Sequence, residues 1–154
     1  KLTNRKTPVT SWFLDLNLVM GYWGKGAKRA YHHTAPVNTL YGLHESLVML
    51  TEEGIENSWS RHQQNHILLR DGLNKLGIDY LVDEASRLPQ LNSVNIPQDQ
   101  DDLGVRSSLL KNYNIDIGAG LGPLEGKIWR IGLMGYTSRK DNIELLLSAL
   151  KDTL

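Results

Sequence analysis

Residues Ile115 to Gly135 read IDIGAGLGPLEGKIWRIGLMG. Apolar runs at both ends of a glycine- and proline-rich middle predict two strands around a loop, with Arg130 inside the second strand. Arginine is permanently charged, and its planar fork of donors matches a carboxylate or phosphate two hydrogen bonds at a time. It is costly to bury unpaired. Its neighbours are Ile128, Trp129, Ile131, Leu133 and Met134, while Gly132 and Gly135 leave room for close backbone approach. Two readings follow: an anion receptor at the mouth of a sheet, or an arginine on the polar face of a strand. The pattern by itself favours the second.

Downstream, Ser138 and Asp141 stand three apart in a capping-box arrangement. They precede a helix carrying Ile143, Leu146, Leu147, Leu150 and Leu154 on one face. Upstream, Asp101 or Asp102 can cap a helix with Val105, Leu109 and Leu110, before Asn112 to Asn114 turn the chain into a strand with Ile115 and Ile117. Ile78–Val82 and Leu91–Ile96 read as strands separated by polar residues and closed by Pro97. Further back, Ile55, Trp59, His62, His66, Leu69, Leu73 and Leu76 alternate four and three apart, which predicts the longest helix, closed by Gly77. Before it, Thr34 as cap and Pro36 in the first turn open a helix from Val37 to Glu53 and Gly54. Lys25 to Tyr31 is a basic, glycine-broken loop. Ser11 can cap a first helix through Tyr22, with Leu14, Leu18 and Tyr22 as a stripe toward a core and Gly21, Gly24 and Gly26 ending it.

Helices therefore fill the first half, and a strand, strand, helix, strand, strand, helix order fills the second, with a seam near Gly77. The second half alone could make a small sheet covered on one face by two helices. The first half has little to close its own core.

The 154 residues suffice for one ordinary domain, and are also few enough to be a piece of something larger. Seventeen basic and seventeen acidic residues cancel, so no global field favours nucleic acid or anionic membrane. Without cysteine there is no disulfide framework and no thiolate chemistry, which fits a reducing compartment. No apolar run approaches the roughly 20 residues that span a bilayer. The chain begins with Lys1, and residues 1–10 lack a signal-peptide core, so the natural start is expected upstream.

His62 and His66 have the i, i+4 spacing of helical metal ligands, but Gln63, Gln64 and Asn65 between them lack the glutamate of H-E-x-x-H and no third ligand is evident. Packed polar residues are the favoured reading. Gly118, Gly120 and Pro123 break G-x-G-x-x-G, and Gly126-Lys127 is followed by Ile128 where a P-loop has Ser or Thr. Tyr31-His32-His33-Thr34 places hydroxyls and amide donors at a helix start, which suits a phosphate oxygen. The plainer reading there is a helix cap with aromatic packing.

The runs SWFLDLNLVMGYWG, RAYHHTAPVNTLYGLHESL, EEGIENSWSRH and IDIGAGLGPLEGKIWRIGLMG together resemble the class V aminotransferases, on their alanine:glyoxylate and serine:pyruvate branch. The resemblance covers nearly the whole chain. It implies a homodimeric, pyridoxal 5'-phosphate-dependent enzyme of fold type I, an α/β protein with an α+β small domain. Residues 1–76 would be the end of the large domain with connecting helices, and residues 77–154 the C-terminal small domain with a mainly antiparallel sheet covered by helices. In such a family the arginine matching Arg130 grips the substrate α-carboxylate, and Tyr31 and Thr34 reach a cofactor phosphate bound mainly by the partner subunit. The lysine that forms the Schiff base belongs, by the same resemblance, upstream of Lys1, so this chain holds no catalytic residue of its own and is expected to be inactive alone. The complete enzyme would move an amino group from alanine or serine to glyoxylate or pyruvate. Two alternatives stand beside it: another class V chemistry, such as phosphonate or phosphoserine amino transfer or desulfurisation, and a non-catalytic dimerisation module. The C-terminal Lys151-Asp152-Thr153-Leu154 departs from K-D-E-L, and its last three residues from S-K-L. A cytoplasmic protein is the default expectation.

Overall fold

A computed structural model of the chain describes residues 4–22 and 30–154. The predicted basic loop lies outside them except for Ala30 and Tyr31, as do Gly24 and Gly26. The chain divides into two compact units, 1–48 and 49–154.

In the first unit the predicted helix from Ser11 shrinks to α1, Leu16–Val19, followed by one 3-10 turn, Met20–Tyr22. Asp15, not Ser11, is the cap, its carboxylate accepting from Asn17 N–H at 2.9 Å. Four residues make barely one turn, and the predicted stripe does not reach a core: Leu14 is 67% exposed, with Leu18 and Tyr22 also exposed. The next helix, α2 (Val37–Glu53), runs across the boundary between the units and buries no residue along its 17 positions. Pro36 stands just ahead of it, its carbonyl accepting from Leu40 N–H, and Thr34 spends its hydroxyl on Tyr31 and not on a cap. A helix that buries nothing gains little from tertiary packing, in keeping with a first half that cannot close a core.

The second unit holds the core. Gly54, with φ of 83°, breaks the chain between α2 and α3 (Ile55–Lys75), a conformation an L side chain rarely adopts. The predicted stripe of α3 is buried from His62 through His66, Leu69 and Leu73, whereas Ile55 and Trp59 stay exposed. Gly77, at φ 73°, closes the helix where expected.

Three strands form one antiparallel sheet in the order β1-β3-β2: β1 is Leu91–Asn95, β2 is Gly118–Ala119 and β3 is Ile128–Gly132. The predicted Ile78–Val82 strand reduces to a bridge between Tyr80 and Val94, supported by Leu81 N–H to the Ser93 carbonyl. The predicted Ile115–Ile117 strand is absent. Asn114, in the left-handed conformation, closes α4 (Asp102–Tyr113) and turns the chain, so that pairing begins only at Gly118. Asp101 caps α4 through Gly104 N–H at 2.6 Å.

The last helix, α5 (Lys140–Thr153), buries Ile143, Leu146 and Leu150 as its period requires. Its predicted capping box does not form: Ser138 is fully buried and faces α3, and Arg139 occupies the cap position without a side-chain bond. The core side chains of α3, α4 and α5 cluster with Val94, Trp129 and Ile131 from the sheet. This is the expected α+β arrangement, with helices over one face of a small antiparallel sheet.

Candidate substrate-carboxylate and phosphate sites

Along β3 the side chains alternate between faces. Trp129 and Ile131 point into the core and are at most 2% exposed, while Arg130, half-buried, points to the other face between Ser93 of β1 and Gly118 of β2. Its Nε–H donates to the Ala119 carbonyl at 2.7 Å. Among the described residues no other hydrogen bond or carboxylate engages it. Arg130 is on the face away from the core, as the plainer reading has it, and among the described residues its two terminal amino groups are unspent. The fork can bind an external anion without first breaking an internal ion pair.

The loop that follows β3 is gripped by three side chains from neighbouring turns of α3. Arg61 Nη1 donates to the carbonyls of Gly135 and Ser138 at 2.9 and 2.8 Å. His62 donates from Nδ1 to the Ser58 carbonyl and accepts the Gly135 N–H at Nε2, 3.1 Å away. Asn65 donates to the Ser138 carbonyl at 2.8 Å. Glu53, at the end of α2, holds the opposite edge of Arg61. That hydrogen bond, with the positive charge, keeps the Glu53 carboxyl below its ordinary 4.5. The stability this pair contributes is therefore complete above pH 4.5 and is lost as pH falls through the lowered value. In Glu53→Gln the acid limb of the stability curve should flatten, measured as melting temperature against pH; an unchanged limb would disprove the coupling.

Within β1, the Asn92 side chain is fully buried and uses all its hydrogen-bonding capacity. Its amide donates to the Ile131 and Pro89 carbonyls, and its oxygen accepts from His66 Nδ1–H at 2.7 Å and Tyr80 O–H at 3.1 Å. His62 and His66 therefore spend ring nitrogens on protein partners, and among the described residues no cluster of three potential metal ligands forms. Burial pushes the Tyr80 phenol up to about 12 from 10.0. The folded state then resists ionisation that the unfolded chain accepts, so stability falls as pH rises from 10 toward 12. The loss should be about 1 to 2 kcal/mol, allowing for solvent at the ring's exposed edge. Denaturant titrations at pH 9 and 11 should show it in the native protein and not in Tyr80→Phe.

In the first unit, Tyr31 O–H and Thr34 Oγ1 lie 2.6 Å apart in a mutual hydrogen bond. Both residues are exposed, Tyr31 by 77%. Two adjacent, accessible hydroxyls ahead of α2 have the chemistry to meet one external phosphate oxygen. Their loop is pinned by Tyr22, whose hydroxyl accepts His32 and His33 N–H at 2.6 and 2.8 Å and donates to the His33 carbonyl. Trp12 and Phe13 pack on the two histidine rings, at 4.0 and 4.4 Å between centroids. Tyr31 and Thr34 belong to one unit and Arg130 to the other.

Sequence reasoning did not find Tyr22, the Ala119 carbonyl or the Arg61, His62 and Asn65 grip. The carbonyl leaves no trace in residue identity. The spacing of Tyr22 matches a helical stripe, which points to a core position and hides its role in the loop.

No family model matches the chain. It is 41% identical to alanine–glyoxylate aminotransferase of Callithrix jacchus over its full length, covering 38% of that protein. It is 37% identical to (S)-ureidoglycine–glyoxylate transaminase of Bacillus subtilis, covering 35% of it. The crystal structure of alanine–glyoxylate aminotransferase from a Nostoc species superposes with a TM-score of 0.91 at 44% identity, over 98% of this chain and 40% of that one. The chain thus spans about two fifths of the length of these relatives.

Proposed function

The chain belongs to the class V pyridoxal-phosphate-dependent aminotransferases, as a C-terminal part of them, and from that premise we propose that it supplies the substrate-carboxylate and part of the phosphate recognition of a glyoxylate- or pyruvate-using transaminase. The observation that carries this reading is Arg130: half-buried, aimed away from the core, pinned at Nε and unspent at both terminal nitrogens. In this reading residues 77–154 are the small domain, and residues 1–76 the end of the large domain and its connection.

Arg130 holds the carboxylate of the amino donor, then that of the 2-oxo acid acceptor, and so fixes the substrate's Cα relative to the cofactor-bearing part of the enzyme. Tyr31 and Thr34 donate hydroxyl hydrogens to the cofactor phosphate, across to a partner subunit in the homodimer this reading requires. The cofactor supplies the electron sink for breaking the Cα–H bond. In this reading the lysine that attaches it comes from the part of the relatives that these residues do not cover, and the 154 residues alone should be inactive. The reading places the complete enzyme in the cytoplasm; for the structure, no helix among the described residues is long and apolar enough to cross a membrane.

A panel on the complete protein tests it: alanine, serine and ureidoglycine as donors, glyoxylate and pyruvate as acceptors, with phosphoserine, a phosphonate amine and cysteine as counter-substrates. Amino transfer to glyoxylate is the expected result. The names of both relatives carry glyoxylate and differ in the donor, so the donor is the part this panel resolves. Turnover of only the counter-substrates would favour another class V chemistry. Failure to bind cofactor would favour a non-catalytic module.

A further inference from the structure

We infer that Gly118 and the Ala119 carbonyl set the direction of Arg130, so that it takes a monocarboxylate only through the outer, Nη1/Nη2 end of its fork. This rests on the reading of Arg130 as the carboxylate-binding residue. A guanidinium offers a carboxylate two parallel-bond edges: the side edge, made by Nε–H with one Nη, and the end, made by both Nη groups. Nε has a single hydrogen, and it is donated to the Ala119 carbonyl at 2.7 Å. The side edge is thereby closed. Only the end remains to bind two oxygens at once.

Gly118 makes this geometry possible. It is paired directly with Arg130 in the β2–β3 register. A Cβ placed on it would have Arg130 atoms as its three nearest neighbours, Nη2 at 3.3 Å and Cβ and Nε at 3.4 Å. The Nη2 distance is tighter than ordinary contact and the other two are at its edge, and because the stem of Arg130 is fixed to its strand, the guanidinium is the part that must give. Gly118 is not among the glycines with positive φ, so alanine can adopt its backbone conformation. What alanine brings is pressure on the guanidinium, which would tilt off the Ala119 carbonyl and turn its end away from the substrate. Gly118 is thus a positioning residue that acts through Arg130.

The test uses the complete, cofactor-loaded protein with four versions: native, Gly118→Ala, Arg130→Ala and the double variant. The probes are propionate, a monocarboxylate without an amino group to transfer, titrated by calorimetry, and L-alanine in steady-state kinetics. Gly118→Ala should weaken propionate binding and raise KM for alanine by about five- to thirtyfold, the share of one charge-assisted hydrogen bond. The melting temperature, cofactor content and kcat should change little. On the Arg130→Ala background the Gly118 change should have no further effect, because residues acting through one contact are not additive. If Gly118→Ala leaves propionate affinity intact while Arg130→Ala abolishes it, the inference falls and the carboxylate reading stands. If Arg130→Ala leaves it intact, the carboxylate reading falls and the inference with it. A Gly118 effect that persists without Arg130 is general packing and overturns the inference. Should Gly118→Ala not fold, Arg130→Lys decides: an ammonium has no planar end, so full propionate affinity in that variant would refute the end-on geometry.

Discussion

Replacing Arg130 by alanine in the complete protein is expected to lower kcat/KM for the amino donor by roughly 30- to 1,000-fold, equivalent to about 2 to 4 kcal/mol for one charged bidentate contact. The fold should tolerate the change. The side chain lies on the sheet face opposite the core, and its hydrogen bond among the described residues goes to a neighbouring carbonyl, whereas the β1–β3–β2 ladder is held by main-chain atoms. Cofactor binding should also persist, since the hydroxyls assigned to the phosphate belong to Tyr31 and Thr34. Steady-state kinetics with alanine and glyoxylate, beside the absorbance of bound cofactor, separate these effects. A variant that keeps amino-acid affinity removes Arg130 from the site. One that loses cofactor along with substrate shows that the two half-sites are not independent.

Much of this arrangement is legible in the residues because it depends on long periodic signals. The α3 and α5 helices carry apolar positions over many turns, and Gly54 and Gly77 punctuate the chain where only glycine is at ease. Arg130 between Trp129 and Ile131 places itself on the outer face by the strand's period of two alone. What escapes is decided by tertiary partners. Ser138 has the sequence of a capping residue, yet Asn65 donates to both its hydroxyl and its carbonyl from 73 positions away. Ile117 is apolar and buried like a strand residue, but the left-handed turn at Asn114 delays pairing until Gly118. Thr34 has the chemistry of a cap, and its hydroxyl is taken by Tyr31. The Ala119 carbonyl that aims Arg130 could not be read at all, because every residue has one.

The neighbour of Arg130 should show the opposite phenotype. Trp129→Ala is expected to destabilise the second unit by about 3 to 5 kcal/mol, the cost of emptying a fully buried aromatic site. Trp129 is 0% exposed and stands across from Val94 in the centre of the core. Its indole N–H donates to Asp102 Oδ1 at 3.0 Å, an oxygen that also accepts Arg106 Nε–H at 2.8 Å. The Arg106 hydrogen bond holds the Asp102 carboxyl below its usual value, with a smaller contribution from the indole. Truncation therefore leaves a cavity without stranding the carboxylate, so the loss should follow volume more than charge. Trp129→Phe refills most of the space, gives up the indole bond and should cost about 1 to 2 kcal/mol. Urea denaturation of the complete protein, followed by far-ultraviolet circular dichroism, measures both. An alanine variant as stable as the phenylalanine one would mean that the sheet is not anchored at Trp129. If the expected order holds, KM for alanine measured below the transition should stay near the native value in Trp129→Phe. The period of two in β3 would then divide the work between adjacent residues, with stability on one face and substrate on the other.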